Sequence, residues 1–339
     1  MTEARHIIVV AELLPPRGAF ARTREPASLV GALIAAALGV AVGVTGAFLT
    51  GGPPPADAAM THVANLDLRD APLTAAGVDD SRRSALIEQI VADEAPERLA
   101  VGASRIAPVR GTPKLIIIFD DMGPDAGAFR EIAAMPGPVT LSFLPYADHV
   151  QPQVDAAKAR GDDILLHLPM EPGGDLDAGP HSLSASMGPD RLFEELEWNL
   201  DRFDGYVGVN NHMGSKFTRN EQAMKRVLAM ISQRGLFFID SLTTGGSVAA
   251  KAGAAVGAEV YLRDVFLDAE PGPQTIRRQL AFAEKIAART GYAIVICHPR
   301  RETLDIIGPW LTTALARGYS LATVSVLHDI KSERGFGEL

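Results

Sequence analysis

From Lys114 onward the chain alternates short apolar runs with longer amphipathic stretches. The apolar runs are Leu115–Phe119, Val139–Leu144, Asp163–Leu168, Tyr206–Asn210, Leu236–Ile239, Val260–Arg263, Ala293–Cys297 and Leu321–Val326. Leu115 to Phe119 is apolar at every position, which fits a strand buried on both faces of a parallel sheet. Between these runs, Asp190–Phe203, Glu221–Arg234, Pro273–Arg289 and Thr303–Ala316 read as helices. Gly161, Gly205, Gly235, Gly291 and Gly318 each stand just before a strand, where a helix C-terminal cap belongs. Strand and helix in alternation mean a parallel sheet with helices outside. Seven to eight strands predict an α/β fold of the (β/α) barrel type, a distorted TIM-like barrel over residues 113–330; an open doubly wound sheet is the alternative. Residues 331–339 form a tail.

Upstream the pattern changes. Leu29 to Leu49 is apolar throughout, and no charge occurs from Pro26 to Ala56. Such a run is long enough to cross a bilayer core of roughly 30 Å as a helix. The expectation is a cytoplasmic leader over 1–26 and a transmembrane signal anchor over 27–50. Cleavage near Ala56 to Ala59 is the other outcome. Arg5, Arg17, Arg22 and Arg24 precede the run, so the positive-inside tendency puts the rest of the chain outside. That implies a single-pass protein of the bacterial inner membrane with its barrel on the periplasmic side. Residues 51–112 are acidic, Ala-rich and poor in aromatics, and are expected to be a flexible linker with one helix near Ser81–Ala95.

Composition narrows the chemistry. The chain has 339 residues, 47% of them hydrophobic, and a net charge of −9. That charge argues against a general affinity for nucleic acid or anionic lipid. No Gly-rich phosphate fingerprint follows the first strand, so no nucleotide is expected. Cys297 is the single cysteine, which excludes an intrachain disulfide and a cysteine-based zinc site. Any metal must be held by His, Asp or Glu.

In barrel enzymes, reactive residues gather at the C-terminal ends of the strands. Here those ends carry Asp120-Asp121, then His167 with Glu171 beyond it, Asn210-Asn211-His212, Asp240-Ser241, Arg263-Asp264 with Asp268 nearby, and His298-Pro299-Arg300. Asp121 could instead cap the next helix, but that leaves Asp120 unused. Imidazole and oxygen ligands without thiolate suit Zn²⁺ and its divalent neighbours. Asp120 is positioned to take a proton and His298 to return one. Tyr146 follows the second strand and has a claim on the cleft. Trp198, Trp310 and Cys297 read as packing residues. Asp264 and Asp268 read as partners of Arg263 or as loop caps.

With these residues in hand, the chain resembles the divergent polysaccharide deacetylase family from roughly Lys114 to Leu327. IIIFDDMG resembles the superfamily's first motif, which implies Asp120 as catalytic base and Asp121 as metal ligand. GDDILLHLPME resembles the second motif, in which two histidines four apart bind metal; the first falls on His167 and the second on Glu171. VGVNNHMGSKFT stands where an arginine motif is usual, and His212 is there as a further ligand candidate. FFIDSLTT aligns Asp240 with the fourth motif, and IVICHPR aligns His298 with the general acid of the fifth. The resemblance implies a metal-dependent hydrolase, with zinc first among metals, that removes N- or O-acetyl groups from an envelope carbohydrate. Asp120, His298 and Asp240 would be catalytic; Asp121, His167, His212 and Glu171 are the metal-ligand candidates. Tyr146, Asn211, Arg263 and Arg300 are the substrate-binding candidates. The competing reading is a non-catalytic barrel that binds a cell-wall glycan or an envelope partner. A phosphodiesterase is disfavoured, because its site should have more cations for phosphate than Arg263, Arg300 and Lys216 provide.

Overall fold

The computed structural model describes residues 83–88 and 111–335, all within a unit spanning Leu68–Leu339. The strands are β1 (Lys114–Met122), β2 (Thr140–Phe143), β3 (Asp163–Met170), β4 (Gly208–Met213), β5 (Phe237–Asp240), β6 (Val260–Leu262), β7 (Val265–Phe266), β8 (Tyr292–Cys297) and β9 (Ser320–Ala322). The helices are α1 (Ala126–Ala133), α2 (Val150–Ala159), α3 (Pro189–Leu200), α4 (Glu221–Gln233), α5 (Ala249–Val256), α6 (Pro273–Thr290), α7 (Arg301–Ala316) and α8 (Ser325–Gly335).

The strands pair in the order β6-β5-β4-β3-β2-β1-β8-β7, all parallel. The two end strands, β6 and β7, are joined in the chain by Arg263 and Asp264 alone. Three peptide steps span at most about 11 Å. A flat sheet of eight strands at about 4.8 Å spacing would hold its edges about 34 Å apart. The sheet must therefore curl on itself, giving an incompletely closed TIM-like barrel. Backbone bonds stitch the seam from both sides: Arg263 N donates to Asp240 O at 3.1 Å, and Asp264 N to Ile294 O at 2.9 Å.

Alternation along each strand sorts side chains into two cores. One cluster, including Ile117, Phe119, Leu166 and Val295, packs under the helices. The other, including Ile116, Ile118, Leu165, Ile239, Ile294 and Ile296, fills the barrel interior. Val324 and Leu327 join that interior cluster. Val324 N donates to Thr140 Oγ1 and Ser325 N to Asp163 Oδ2, at the starts of β2 and β3. The end of the barrel opposite the strand C-termini is thereby plugged.

Gly161, Gly205, Gly235, Gly291 and Gly318 all have positive φ, as the capping pattern requires. The next helix after β1 is capped not by Asp121 but by Asp125, whose carboxylate accepts from Gly127 N and Ala128 N. The expected strand Leu321–Val326 is a correction: β9 is only Ser320–Ala322, pairs with β1, and gives way to α8. Val324, Leu327 and Ile330 recur at helical spacing and face one apolar cluster, which outweighs the β-branched composition. The apolar run Leu29–Leu49, the leader and most of the 51–112 stretch lie outside the described residues. Among the described residues no helix is long and apolar enough to cross a membrane.

Residues 83–88 are helical. Arg83 pairs with Asp264 through two contacts, of 2.8 and 2.5 Å, donates to Tyr292 O at 3.1 Å, and lies 4.0 Å over the Tyr292 ring. Asp264 thus pairs with Arg83, not with its neighbour Arg263. Both side chains are buried, at 10% and 3% exposure. Removing one partner of a buried pair leaves the other charge uncompensated. Arg83→Ala should therefore lower the stability of the folded protein by about 3–5 kcal/mol, read as a shift in the urea unfolding midpoint; a change under about 1 kcal/mol would show the pair to be a weak tether.

Candidate active site

The interior alternation continues upward into polar groups. On β1, Ile116 and Ile118 lead to Asp120; on β3, Leu165 leads to His167; on β8, Ile294 and Ile296 lead to His298. On β4 the same parity gives Gly208, Asn210 and His212. A Cβ on Gly208 would lie 2.6 Å from the Phe237 ring, so only glycine fits beneath this layer. The polar groups form the lid of an otherwise apolar barrel interior.

Asp121 should point away by this parity. Instead its φ is +57°, and the β1–β2 register shifts between Phe119 and Met122. The irregularity turns a second carboxylate toward the same mouth, at a backbone cost of about 1–3 kcal/mol. Asp121 Oδ1 lies 2.8 Å from His212 Nδ1 and 3.3 Å from His167 Nε2. The two imidazole nitrogens are 3.3 Å apart. Yet Asp121 Oδ1 is buried with no hydrogen-bond partner of proper geometry among the described residues. Lone pairs that converge without a donor between them are the geometry of a cation site. A tetrahedral ion with bonds of about 2.0–2.1 Å sets its ligand atoms about 3.3–3.4 Å apart. The trio fits that spacing, with one contact somewhat shorter. Burial opposes ionisation of Asp121, but hydrogen bonding and charge from His167 and His212 in their protonated forms outweigh it and hold the carboxyl well below the usual carboxylate range; with both imidazoles as ligands, a cation takes over that role.

Two further groups flank the trio. Asp120, 3% exposed, accepts from Asn210 Nδ2 at 2.7 Å, and its Oδ2 lies 3.7 Å from His167 Nε2. Burial raises its pKa, and the nearby imidazoles His167 and His298 only partly offset this. His298 Nδ1 is 2.9 Å from Asp268 Oδ1, while its Nε2 is 3.8 Å from Asp121 Oδ2. Burial would lower the His298 pKa, but the Asp268 hydrogen bond and the charge of Asp120 outweigh it and raise it. Asp268 is itself fixed by His298 N at 3.0 Å and Thr303 Oγ1 at 2.8 Å. The mouth therefore holds a cation-ready trio, a buried carboxylate and a carboxylate-held imidazole.

A model of the divergent polysaccharide deacetylase family matches residues 117–328. The chain belongs to this family. It is 32% identical over 194 residues to the uncharacterized protein YibQ of Escherichia coli strain K12, covering 57% of this chain and 61% of that protein. The chain thus spans less than two thirds of that relative's length. An uncharacterized protein of Haemophilus influenzae is 35% identical over 198 residues, covering 57% of this chain and 69% of that one. Among solved structures, an uncharacterized protein of Agrobacterium tumefaciens C58 superposes with a TM-score of 0.62 at 28% identity, covering 74% of this chain and 98% of the other. The family resemblance read from the motifs is confirmed, and the barrel is a deacetylase-type barrel.

The other expected site residues of this deacetylase-type barrel lie as follows. Glu171 is outside the trio: its carboxylate takes Ser184 Oγ, Ala185 N and Lys216 Nζ, tying the loops after β3 and β4. Asp240 accepts from Ser247 Oγ at 2.6 Å and Leu242 N at 2.9 Å; the partner of His298 is Asp268. Asn211, of opposite parity to Asn210, bonds Met213 O and Ser241 N. Arg263 donates to Ser241 O and Leu242 O and stacks on Phe266 beside the seam. Arg300 is exposed and donates to Asp268 O at 2.7 Å. Tyr146 is half-buried against Gly179, and burial followed by the charges of Asp121 and Asp177 raises its pKa. Trp198 stacks on His181 at 3.5 Å, Trp310 donates to Glu284, and Cys297 is fully buried, so all three are packing residues.

The sequence reading gives Asn210 no role of its own and sets Asp268 beside Arg263, whereas the structure puts Asp268 on His298. Strand parity marks Asn210, because it shares the face of Gly208 and His212. Asp268 ends Val265-Phe266-Leu267, an apolar run then an aspartate, as in Leu115–Asp120. The trio carries a direct expectation. His212→Ala should weaken divalent-metal binding by more than the about 10–100-fold that loss of an outer-shell partner costs, whereas Glu171→Gln should leave it unchanged. Metal content after dialysis, read by elemental analysis, checks both; equal losses would put Glu171 back in the ligand set.

Proposed function

We propose that this barrel is a metal-dependent hydrolase that removes acetyl groups from an envelope carbohydrate. The observation that carries the reading is the placement of a buried base, Asp120, and an acid held by Asp268, His298, on either side of three converging ligand atoms. A non-catalytic glycan binder has no use for both. Asp121, His167 and His212 would hold a divalent ion, and their nitrogen and oxygen donors suit zinc first. Such an ion, when bound, acts as a Lewis acid on the acyl oxygen and makes water a better nucleophile.

The chain's own groups supply the proton chemistry. Asp120 accepts the proton of the attacking water at its carboxylate. Its burial favours the neutral product of that transfer and strengthens it as a base. The Asn210 hydrogen bond keeps its other oxygen engaged, so the carboxylate stays oriented. His298 donates from Nε2 to the leaving amine or alcohol. Asp268 holds Nδ1, which fixes the tautomer and stabilises the charged ring. Tyr146 stands at the rim, near Asp121, as a candidate contact to the sugar. The reading includes a periplasmic location, supported by the apolar run Leu29–Leu49 with arginines before it.

The test is acetate release from acetylated amino-sugar oligomers and O-acetylated glycans. Asp120→Asn should lower kcat by about 10²–10⁴ while the protein keeps its metal. Undiminished acetate release by that variant, or none from the metal-loaded wild type across such substrates, would overturn the reading.

A further inference from the structure

We infer that Asn210 is a positioning residue that sets the metal-holding imidazole and the base together, through opposite ends of one carboxamide. This rests on the hydrolase reading above and adds to it the group that orients both partners. Asn210 is fully buried at the centre of the polar layer. Its Oδ1 lies 2.8 Å from His167 Nδ1 and also accepts from Ser142 Oγ. Its Nδ2 donates to Asp120 Oδ1 at 2.7 Å and to Ser241 Oγ at 3.4 Å. A carboxamide offers two acceptor sites and two donors, and here all four are taken.

The polarity matters more than the count. Because Oδ1 can only accept, His167 must carry its hydrogen on Nδ1. Nε2 then presents a lone pair toward Asp121 and His212, as a ligand must. Because Nδ2 can only donate, it must face an acceptor, so Asp120 is held by an oxygen that is not carrying a proton. The Asp120 carboxylate, which can only accept, fixes which end of the amide faces it, and Ser142 and Ser241, whose hydroxyls can donate or accept, complete its four bonds. One neutral side chain thus imposes two opposite requirements on two neighbours. In the register of β3 and β4, Asn210 stands directly opposite His167, so the short link needs no loop.

The two ends can be separated. Asn210→Asp keeps an acceptor for His167 Nδ1 but places a second carboxylate against Asp120. Asn210→Ala removes both ends. Metal content, kcat and KM for acetate release, and the thermal midpoint are measured for both variants and for the pair Asp120→Asn with Asn210→Asp. N210D should retain the wild-type metal content, lose about a hundredfold or more in kcat, and change KM by less than about threefold. N210A should lose both metal and kcat. Adding D120N to N210D restores a donor opposite the new carboxylate and should raise the thermal midpoint above that of N210D alone, although D120N removes the base. Equal loss of metal in N210D and N210A, wild-type kcat in N210D, or no recovery of the midpoint in the double variant would each overturn the inference. The thermal comparison needs neither metal nor substrate, so it judges the Asn210 pairing even if the wild type releases no acetate.

Discussion

The two-residue tie between β6 and β7 is the constraint on which the rest depends. A sheet whose opposite edges are joined by Arg263 and Asp264 cannot lie flat. Curling brings the C-terminal ends of β1, β3, β4 and β8 to one rim, where Asp120, Asp121, His167, Asn210, His212 and His298 meet. Both tie residues are pinned to the strands next to the pair they join, β5 and β8. Arg263 bonds the end of β5 through its backbone and side chain, and Asp264 bonds Ile294 of β8 from both its N–H and its carboxylate. Arg83 then supplies the countercharge for Asp264. The seam is thus held by charge and backbone where a closed barrel would have a ladder of strand hydrogen bonds.

Curvature alone would not build the site. Strand parity delivers Asp120, His167, Asn210, His212 and His298 to the interior but would send Asp121 outward. The left-handed backbone at Asp121 and the register shift beside it reverse that. Strain of this kind persists only where surrounding structure over-determines it. Here β1 is paired with β8 from Lys114 to Phe119, with β9 from Lys114 to Ile116, and with β2 at Ile118, Phe119 and Met122, so strand pairing holds it on both sides of Asp121. A cation that neutralises Asp121 beside two imidazoles would offset that cost in the folded state.

Much of this could be read from the sequence, and the failures have physical causes. The apolar runs and the glycines before them located most of the strands, because burial on both faces leaves a dense signal. The β7 strand has two residues, too few for any period, so the sequence places Asp268 near the site without revealing that its partner is His298. At β4, residue type alone does not separate the three adjacent polar residues Asn210, Asn211 and His212. Parity separates Asn210 and His212 from Asn211, which bonds backbone instead. Helices α2 and α5 do not stand out in the sequence, since their Ala and polar content gives a weak stripe, and the start of α8 at Ser325-Val326 falls inside the run Leu321–Val326 that reads as strand. What chain spacing cannot encode is a kink. Nothing in Phe119-Asp120-Asp121-Met122 announces that one of the two aspartates takes a left-handed backbone.

The proposed ligand set follows from the same geometry. Two ligands four residues apart adjoin on a helix, at about 6 Å, but are about 13 Å apart along an extended strand. β3 runs unbroken to Met170, so Glu171 lies a strand's length beyond His167 and its carboxylate is used to tie loops. The neighbouring strand solves the reach. Asn210 is opposite His167, and His212, two residues farther on, is opposite Pro169 on the same inward face. A diagonal neighbour on adjacent strands is about 7–8 Å away between Cα atoms, within the span of two imidazoles that share one ion. An extended β3 therefore requires the third donor to come from β4, and β4 must then present a polar residue opposite His167 itself. Asn210 fills that position, which is why ligand and brace are two residues apart on one strand.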